Sequence, residues 1–289
     1  MSDMSNLRPD SVIACLDCPS HVQAVLNASL WAAKMLQAPV GLLHAAPSVH
    51  RKAAVDYSGC LVADDGNHLL NQLALEEKDS NGKLRDQGRL LLKQAESYCE
   101  QQQGRYQHHL YTLHRHASIA ESLDYVDESA QLVVIGHQVT CKDTLSQLIR
   151  ASRCPTLVTH ETFKAPKTAL FAFDNRPTCH ALLDWLCSNA LVRNTSLHVV
   201  MVGEENERNK DALREAYARL TQSGIQCKKA LIEGRDVTAA LMYYQQQHEL
   251  DMLITGAFGE SRLHEFLHGS NTRKLLSASR TPYLLYPRM

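Results

Sequence analysis

Apolar residues in this chain fall into short unbroken runs, and each run is followed by a stretch in which apolar residues recur every three or four positions. The first run, at 11–17, reads SVIACLD, and a run of the same pattern at 168–174 reads TALFAFD. Runs without polar alternation are typical of strands that are buried on both faces of a parallel sheet. The three- and four-residue spacing predicts helices between them, so we expect strands and helices to alternate along the chain.

The same order of elements occurs twice. Strands are predicted at 11–17, 40–44, 106–113, 132–136 and 154–158, and again at 168–174, 196–202, 225–232, 252–256 and 281–285. This order predicts an α/β fold with two tandem, doubly wound, parallel five-stranded sheets that carry helices on both faces, a Rossmann-like architecture. A short polar segment near 161–166 separates the copies, so we expect domains at 1–162 and 166–289.

Helices are predicted at 84–103, 118–128, 207–222 and 236–248. The first copy also contains additional residues at 48–83, before its second helix. This segment has two polar tetrads, DDGN at 64–67 and DSNG at 79–82, around a short apolar piece. Such tetrads favour turns, so a surface excursion is expected there.

Composition and charge narrow the function classes. The chain has 289 residues, of which 44% are hydrophobic and 21% charged, and its formal net charge is −1. A chain without a strong basic balance is not expected to bind nucleic acid or an anionic membrane surface. No apolar run approaches the length of about 18 residues that a membrane helix needs. Residues 1–10 lack the organisation of a secretory signal, so we expect a cytoplasmic protein.

A glycine-containing segment follows the fourth strand of the second copy. It reads Gly256, two residues, Gly259, nine residues, then Gly269 and Ser270, before a helix predicted from Asn271 to Ser279. Glycine lets the backbone turn sharply and approach a ligand closely, and the N–H groups at a helix start bind anions. The alternative is a glycine turn that leads into a helix capped by Ser270, with no ligand.

The first copy differs at the corresponding place. Gly136 to Pro155 spans 19 positions, whereas Gly256 to Pro282 spans 26, so seven residues are missing from the first copy. Residues 137–142 read HQVTCK and contain no glycine. The same phosphate cradle cannot form there, and we expect one site per chain.

The pattern G-x2-G-x9-G-S, placed between the fourth strand and a helix that leads to a Pro-opened last strand, resembles the universal stress protein family. The resemblance extends to TALFAFD at 168–174, LLH at 42–44, EGRD at 233–236 and CPTL at 154–157, and it covers nearly the whole chain except 48–83. It implies an adenine nucleotide alpha hydrolase-like fold.

In the ATP-binding members that this chain resembles, the glycine loop and the residues after it hold phosphate and ribose, while the ends of the first two strands lie beside the base and sugar. Carried over, this implies Asp174, Val200 or Val202, Gly256, Gly259, Gly269, Ser270, Asn271 and Thr272 as nucleotide-binding residues. The chain departs from the family at Asn175 and Arg176, where Gly-Ser is more usual, so the contacts on the base side are less well matched.

These observations predict a stress-response protein that binds ATP, ADP or AMP, with Mg²⁺ as a candidate companion ion, and acts as a sensor or regulator. The alternative is a nucleotide-independent module that binds a regulatory partner or another small molecule. No catalytic constellation is present, so at most slow ATP hydrolysis is expected. The last strands of the family often mediate dimerisation, which implies contacts at 156–160 and 283–287, an intrachain pseudo-dimer of the two copies, and a homodimer.

Three other groups of residues have candidate chemistry. His114 and His116 share a strand face and could bind zinc, but a polar strand surface is the expected role because no further ligand completes a familiar spacing. Cys15 and Cys18 form a CxxC pattern, yet Cys15 lies inside an apolar strand, which favours a buried structural thiol. Asp17 and Asp174, at strand ends, could orient a ligand or Mg²⁺, or cap a helix.

Overall fold

The structure, a computed structural model, describes residues 7–16, 20–45, 63–102, 109–137, 152–256 and 281–287, with the side chains of 63–102 described at position 82 and from 84 onward. Ten strands form one sheet. They are β1 (Ser11–Cys15), β2 (Val40–Ala45), β3 (Leu110–Arg115), β4 (Ala130–Gly136), β5 (Thr156–Thr159), β6 (Thr168–Ala172), β7 (Ser196–Val202), β8 (Cys227–Ile232), β9 (Met252–Gly256) and β10 (Tyr283–Tyr286).

The strand order is β3-β2-β1-β4-β5-β10-β9-β6-β7-β8. The amino-terminal half, β1–β5, therefore has the same internal order as the carboxyl-terminal half, β6–β10, and all strand pairs within each half are parallel. The mostly parallel α/β fold that the sequence predicts is confirmed.

The two five-stranded groups are joined into one sheet through β5 and β10. These strands run antiparallel, and Leu284 lies opposite Leu157 at the centre of the pairing. The expectation that 156–160 and 283–287 lie at the contact between the copies is confirmed. Pairing β5 with β10 satisfies backbone groups that two separate sheets would each leave exposed at an edge.

The helices lie on both faces of the sheet. They are α1 (Val22–Leu36), α2 (Ala63–Gln102), α3 (Ile119–Val126), α4 (Pro177–Ser188), α5 (Glu207–Gln222) and α6 (Val237–Gln247). Within the described ranges, none of them is long and apolar enough to cross a membrane. Alternate strand residues enter two separate apolar layers, with Val12 and Ala14 on one face of β1 and Ile13 on the other.

Helix α2 corrects the predicted surface excursion at 48–83. The helix begins at Ala63 rather than near 84, and its 40 residues include both polar tetrads. Gly in a helix interior costs about 1 kcal/mol relative to Ala, but the segment between the tetrads is rich in leucine and glutamate and has high helix propensity. A helix that is already nucleated extends at little cost per residue. Residues 46–62 lie outside the described part of the chain.

Candidate functional site

The strand order of the carboxyl-terminal half places a crevice beside β6. The chain passes from β6 to β7 and β8 on one side, and then returns to β9 on the other side of β6. In open parallel sheets, ligands bind beyond the carboxyl ends of the strands at such a reversal. Asp174, which follows β6, and Gly256, which ends β9, both lie at this edge.

A tight turn leads from β6 into α4. The backbone N–H of Arg176 donates to Asp174 Oδ1 at 3.1 Å, and Arg176 Nε lies 3.6 Å from Asp174 Oδ2. Asn175 has a φ of 59°, a left-handed conformation that glycine adopts easily and asparagine tolerates better than most residues. Asn175 is thus compatible with the turn despite not being glycine.

Asp174 does not cap α4, so that alternative for its role is wrong. The helix begins at Pro177, and Arg176 occupies the N-cap position without a side-chain capping bond. Asp174 lies two residues before the N-cap position, and its carboxylate instead accepts the N–H of Arg176, as Asp commonly does in turns. Its side chain is 43% exposed and can contact a ligand.

The first turn of α4 packs directly on the end of β9. A Cβ added to Gly256 would lie 3.0 Å from Cγ2 of Thr178 and 3.9 Å from Sγ of Cys179. Glycine at this position leaves room for the close approach of helix and strand, and a Cβ there would require a small shift of Thr178. Thr178 and Cys179 belong to the crevice, and the sequence analysis missed both; their only signal is their place in the first turn after Asp174.

Cys179 lies in this crevice as a protonated thiol. Its Sγ donates to the carbonyl of Ala172 at 3.7 Å. Burial, followed by the negative charge of Asp174, raises the pKa of the Cys179 thiol to about 12. A thiol with this pKa is a weak nucleophile at neutral pH, so Cys179 supports packing rather than covalent chemistry.

The other sequence-predicted residues divide into two groups. Val200 is fully buried in the apolar layer, and its carbonyl accepts the N–H of Phe173 at 2.9 Å, while Val202 is only half buried at the end of β7. The remaining ones lie outside the described residues, as does the helix predicted at 271–279. They are Gly259, Gly269, Ser270, Asn271 and Thr272.

The corresponding crevice of the amino-terminal half contains imidazoles. A Cβ added to Gly136 would lie 2.7 Å from Cβ of His21, which precedes α1 and is 2% exposed. His137 Nδ1 lies 2.8 Å from the hydroxyl of Tyr283, and its ring stacks on that of His160 at a centroid distance of 4.7 Å. His160 Nε2 is buried without a hydrogen-bond partner.

These histidines are held neutral. Burial lowers the pKa of His21 and of His137, and burial together with its histidine neighbours lowers the pKa of His160 to about 4. Three neutral rings and the buried hydroxyl of Tyr283 fill the seam between the two halves. This filled seam is not the phosphate cradle that the second copy's sequence predicts.

The sequence also suggests cysteines, Asp17 and the histidines in and beside β3 as candidate functional residues. Cys15 and Cys154 are buried, as predicted, whereas Cys18 and Asp17 lie outside the described residues. Among the residues that the structure describes, no group of three or more His, Cys, Asp or Glu side chains is arranged to hold a metal ion. His116 follows the end of β3, and its ring centroid lies 5.0 Å from that of His114.

Comparison with known proteins finds similarity to one family. Residues 200–287 match the model of the Universal stress protein family. Universal stress protein Slr1230 of Synechocystis sp. is 25% identical to this chain over 288 residues, which is 96% of this chain and 99% of that protein. These two matches support the universal stress protein family.

Solved structures agree on the architecture. A universal stress protein from Archaeoglobus fulgidus DSM 4304 has a TM-score of 0.62 at 12% identity and covers 97% of each chain. A protein from Pseudomonas aeruginosa UCBPP-PA14 has a TM-score of 0.54 at 16% identity, covering 97% of this chain and 93% of its own.

Proposed function

We propose that the carboxyl-terminal half binds one adenine nucleotide, ATP, ADP or AMP, and that the chain acts as a nucleotide-dependent sensor or regulator. The observation that carries this proposal is the meeting of Asp174, Thr178 and Gly256 at the strand reversal of the half that also contains the glycine-rich sequence. Open α/β sheets bind ligands at this position.

Each part of the crevice has a chemical role in this proposal. The exposed carboxylate of Asp174 accepts hydrogen bonds from ribose hydroxyls or the base, or orients a hydrated Mg²⁺. Gly256 has no side chain, so the backbone at the end of β9 can pass close to the sugar. Gly259, Gly269, Ser270, Asn271 and Thr272 hold the phosphates, as the family resemblance implies, and Val202 borders the base.

The domain organisation is part of the same proposal. Domains 1–162 and 166–289 form an intrachain pseudo-dimer, and the antiparallel pairing of β5 with β10 supports this arrangement. In the amino-terminal domain, His21 and His160 occupy the crevice, so nucleotide binds at one site per chain. Two chains form a homodimer through a surface other than β5 and β10, which light scattering on the purified protein tests.

The proposed regulation follows from ligand-dependent order in the loop. Nucleotide that binds the loop in one conformation shifts the chain toward that conformation by its differential affinity. The loop surface then presents a different face to a partner protein. Cys179 is a protonated thiol and the carboxylate of Asp174 is paired with Arg176, so neither is an activated nucleophile and any hydrolysis is expected to be slow.

Equilibrium binding of ATP tests the site. We expect Gly269→Asp to weaken ATP binding by about 100-fold, roughly 2.7 kcal/mol, because a carboxylate at the start of the predicted helix repels phosphate. Gly82→Asp is a matched control, since a Cβ at Gly82 meets no atom within 4 Å. Titration calorimetry measures both variants beside the unaltered chain.

The outcomes separate the rival functions. Undetectable ATP, ADP and AMP binding by the unaltered chain at millimolar nucleotide contradicts the proposal and favours the nucleotide-independent module. Equal affinity of the two variants places the ligand elsewhere. Mass spectrometry of the ligand that co-purifies with the chain identifies which nucleotide is preferred.

A further inference from the structure

Two histidines from neighbouring strands lie side by side beneath α2. His44, near the end of β2, is the register partner of His114, near the end of β3. Their ring centroids are 5.3 Å apart with the rings nearly perpendicular. The pairing brings together residues 70 positions apart in the sequence, so spacing along the chain does not reveal it.

One nitrogen of each ring lacks a hydrogen-bond partner. His44 Nδ1 and His114 Nε2 are both buried and unpartnered. A Cβ added to Gly88 of α2 would lie 2.6 Å from His114 Nε2 and 2.9 Å from His44 Nδ1. The two nitrogens therefore converge on one point of the helix, where only glycine leaves room for them.

A single group placed between these two nitrogens could bind both of them. Leaving one buried polar atom unsatisfied costs about 1–3 kcal/mol, and both atoms face the same small region. Both rings are also neutral at pH 7, because burial lowers the pKa of His44, and burial with the neighbouring positive groups lowers the pKa of His114 to about 4. Neutral imidazole presents the lone pair that a metal ion binds.

We propose that His44 and His114 bind a divalent late first-row transition-metal ion, Zn²⁺ or Cu²⁺, beneath Gly88. The described side chains contain no preformed group of three ligands, so water or the exposed His116 completes the coordination after a turn of its side chain. The ring of His116 already lies 5.0 Å from that of His114.

The ligand atoms, rather than the surrounding charges, determine which ion suits this site. Arg85 and Arg89 lie close enough to lower the pKa of His114, and their positive charge opposes every cation. Nitrogen ligands without a carboxylate suit Zn²⁺ and Cu²⁺ rather than Mg²⁺ or Ca²⁺. A bound ion would tie β2 to β3, the edge strand that α2 covers, and stabilise this edge. The site is separate from the proposed nucleotide crevice and independent of it.

Zn²⁺ binding to the full chain tests the proposal. The number of Zn²⁺ ions bound per chain is measured by equilibrium dialysis at ~100 μM Zn²⁺. We expect the His109→Ala variant to bind one more ion per chain than the His44→Ala or His114→Ala variant. His109 is the matched control because it is exposed and immediately precedes β3. Affinity at this site should fall by more than about tenfold in the two variants, since even the loss of a residue that supports a ligand weakens metal sites about 10- to 100-fold.

A second measurement uses the unaltered chain, so it does not depend on the folding of a variant. Electron paramagnetic resonance of the chain with one equivalent of Cu²⁺ should show coupling to at least two imidazole nitrogens. A spectrum with only oxygen ligands, or equal Zn²⁺ loading of His114→Ala and His109→Ala, overturns the proposal.

Discussion

The two halves of the sheet share a strand order but differ at the crevice where each order reverses. In both, a glycine ends the fourth strand, and a side chain at the start of the first helix lies over it: His21 over Gly136, and Thr178 over Gly256. In the amino-terminal half, His137 and His160 fill the adjoining space with rings. In the carboxyl-terminal half, the exposed carboxylate of Asp174 borders it.

Two crevices formed by the same strand order thus contain different side chains. At one crevice, three neutral imidazoles pack beside Tyr283 between the halves. At the other crevice the described side chains are the smaller Thr178 and the partly exposed carboxylate of Asp174.

Adding one methyl group should affect the two crevices unequally. Gly136→Ala places a Cβ 2.7 Å from Cβ of His21, an atom that cannot move without its backbone, so we expect a loss of about 2–3 kcal/mol in unfolding free energy. Gly256→Ala meets the terminal Cγ2 of Thr178 at 3.0 Å, and its loss should be under about 1 kcal/mol. Urea denaturation measures both, and equal losses would remove the distinction.

Acid should weaken the filled crevice. The pKa of His160 falls from its ordinary 6.5 to about 4 on folding, so the unfolded chain takes up a proton in a range where the folded chain does not. The contribution of His160 to the unfolding free energy is fully present above about pH 7 and declines as the pH falls. At pH 5 the unfolding free energy should be lower by about 2 kcal/mol.

The control for this acid effect is His160→Gln, which removes the titrating group. Its unfolding free energy, measured by urea denaturation at pH 7 and pH 5, should fall less than that of the unaltered chain. Because burial also lowers the pKa of His21 and of His137, part of the decline should persist. Identical declines in the two proteins would show that His160 is not held neutral.

The smallest effect is expected at Arg176. Its ion pair with Asp174 is exposed on both sides, with 47% and 43% of the two side chains accessible, and such pairs contribute about 0–1 kcal/mol. Arg176→Ala should therefore leave the melting temperature nearly unchanged. A large loss would mean that the turn after β6 depends on this side chain rather than on the backbone bond to Asp174.

Much of the fold was predictable because its signals are local. Helix α5 occupies the predicted range 207–222, and α6 begins after Asp236, whose Oδ1 accepts the N–H of Ala239 at 3.0 Å. Apolar periodicity and capping residues act within a few positions of the chain. The start of α2 at Ala63 was missed because turn-forming residues such as Gly66 are also tolerated inside a long helix.

The candidate site was only partly predictable. Asp174 and Gly256 were found because each ends an apolar strand, and strand ends are where open sheets bind ligands. Thr178 and Cys179 were missed because their closeness to Gly256 arises from the docking of α4 on β9. His44 was missed in the same way, since its neighbour His114 comes from the next strand in the sheet and not from the next turn of the chain.

The sequence by itself determined the alternation of strands and helices, its repetition, and the missing seven residues in the first copy's loop, because each is visible in residues close together in the chain. Only the tertiary structure decided that β5 and β10 join the halves into one sheet. It also decided that imidazoles fill one crevice and that His44 meets His114 under Gly88. Those outcomes depend on strand register and helix docking, which bring together residues that are far apart in the sequence.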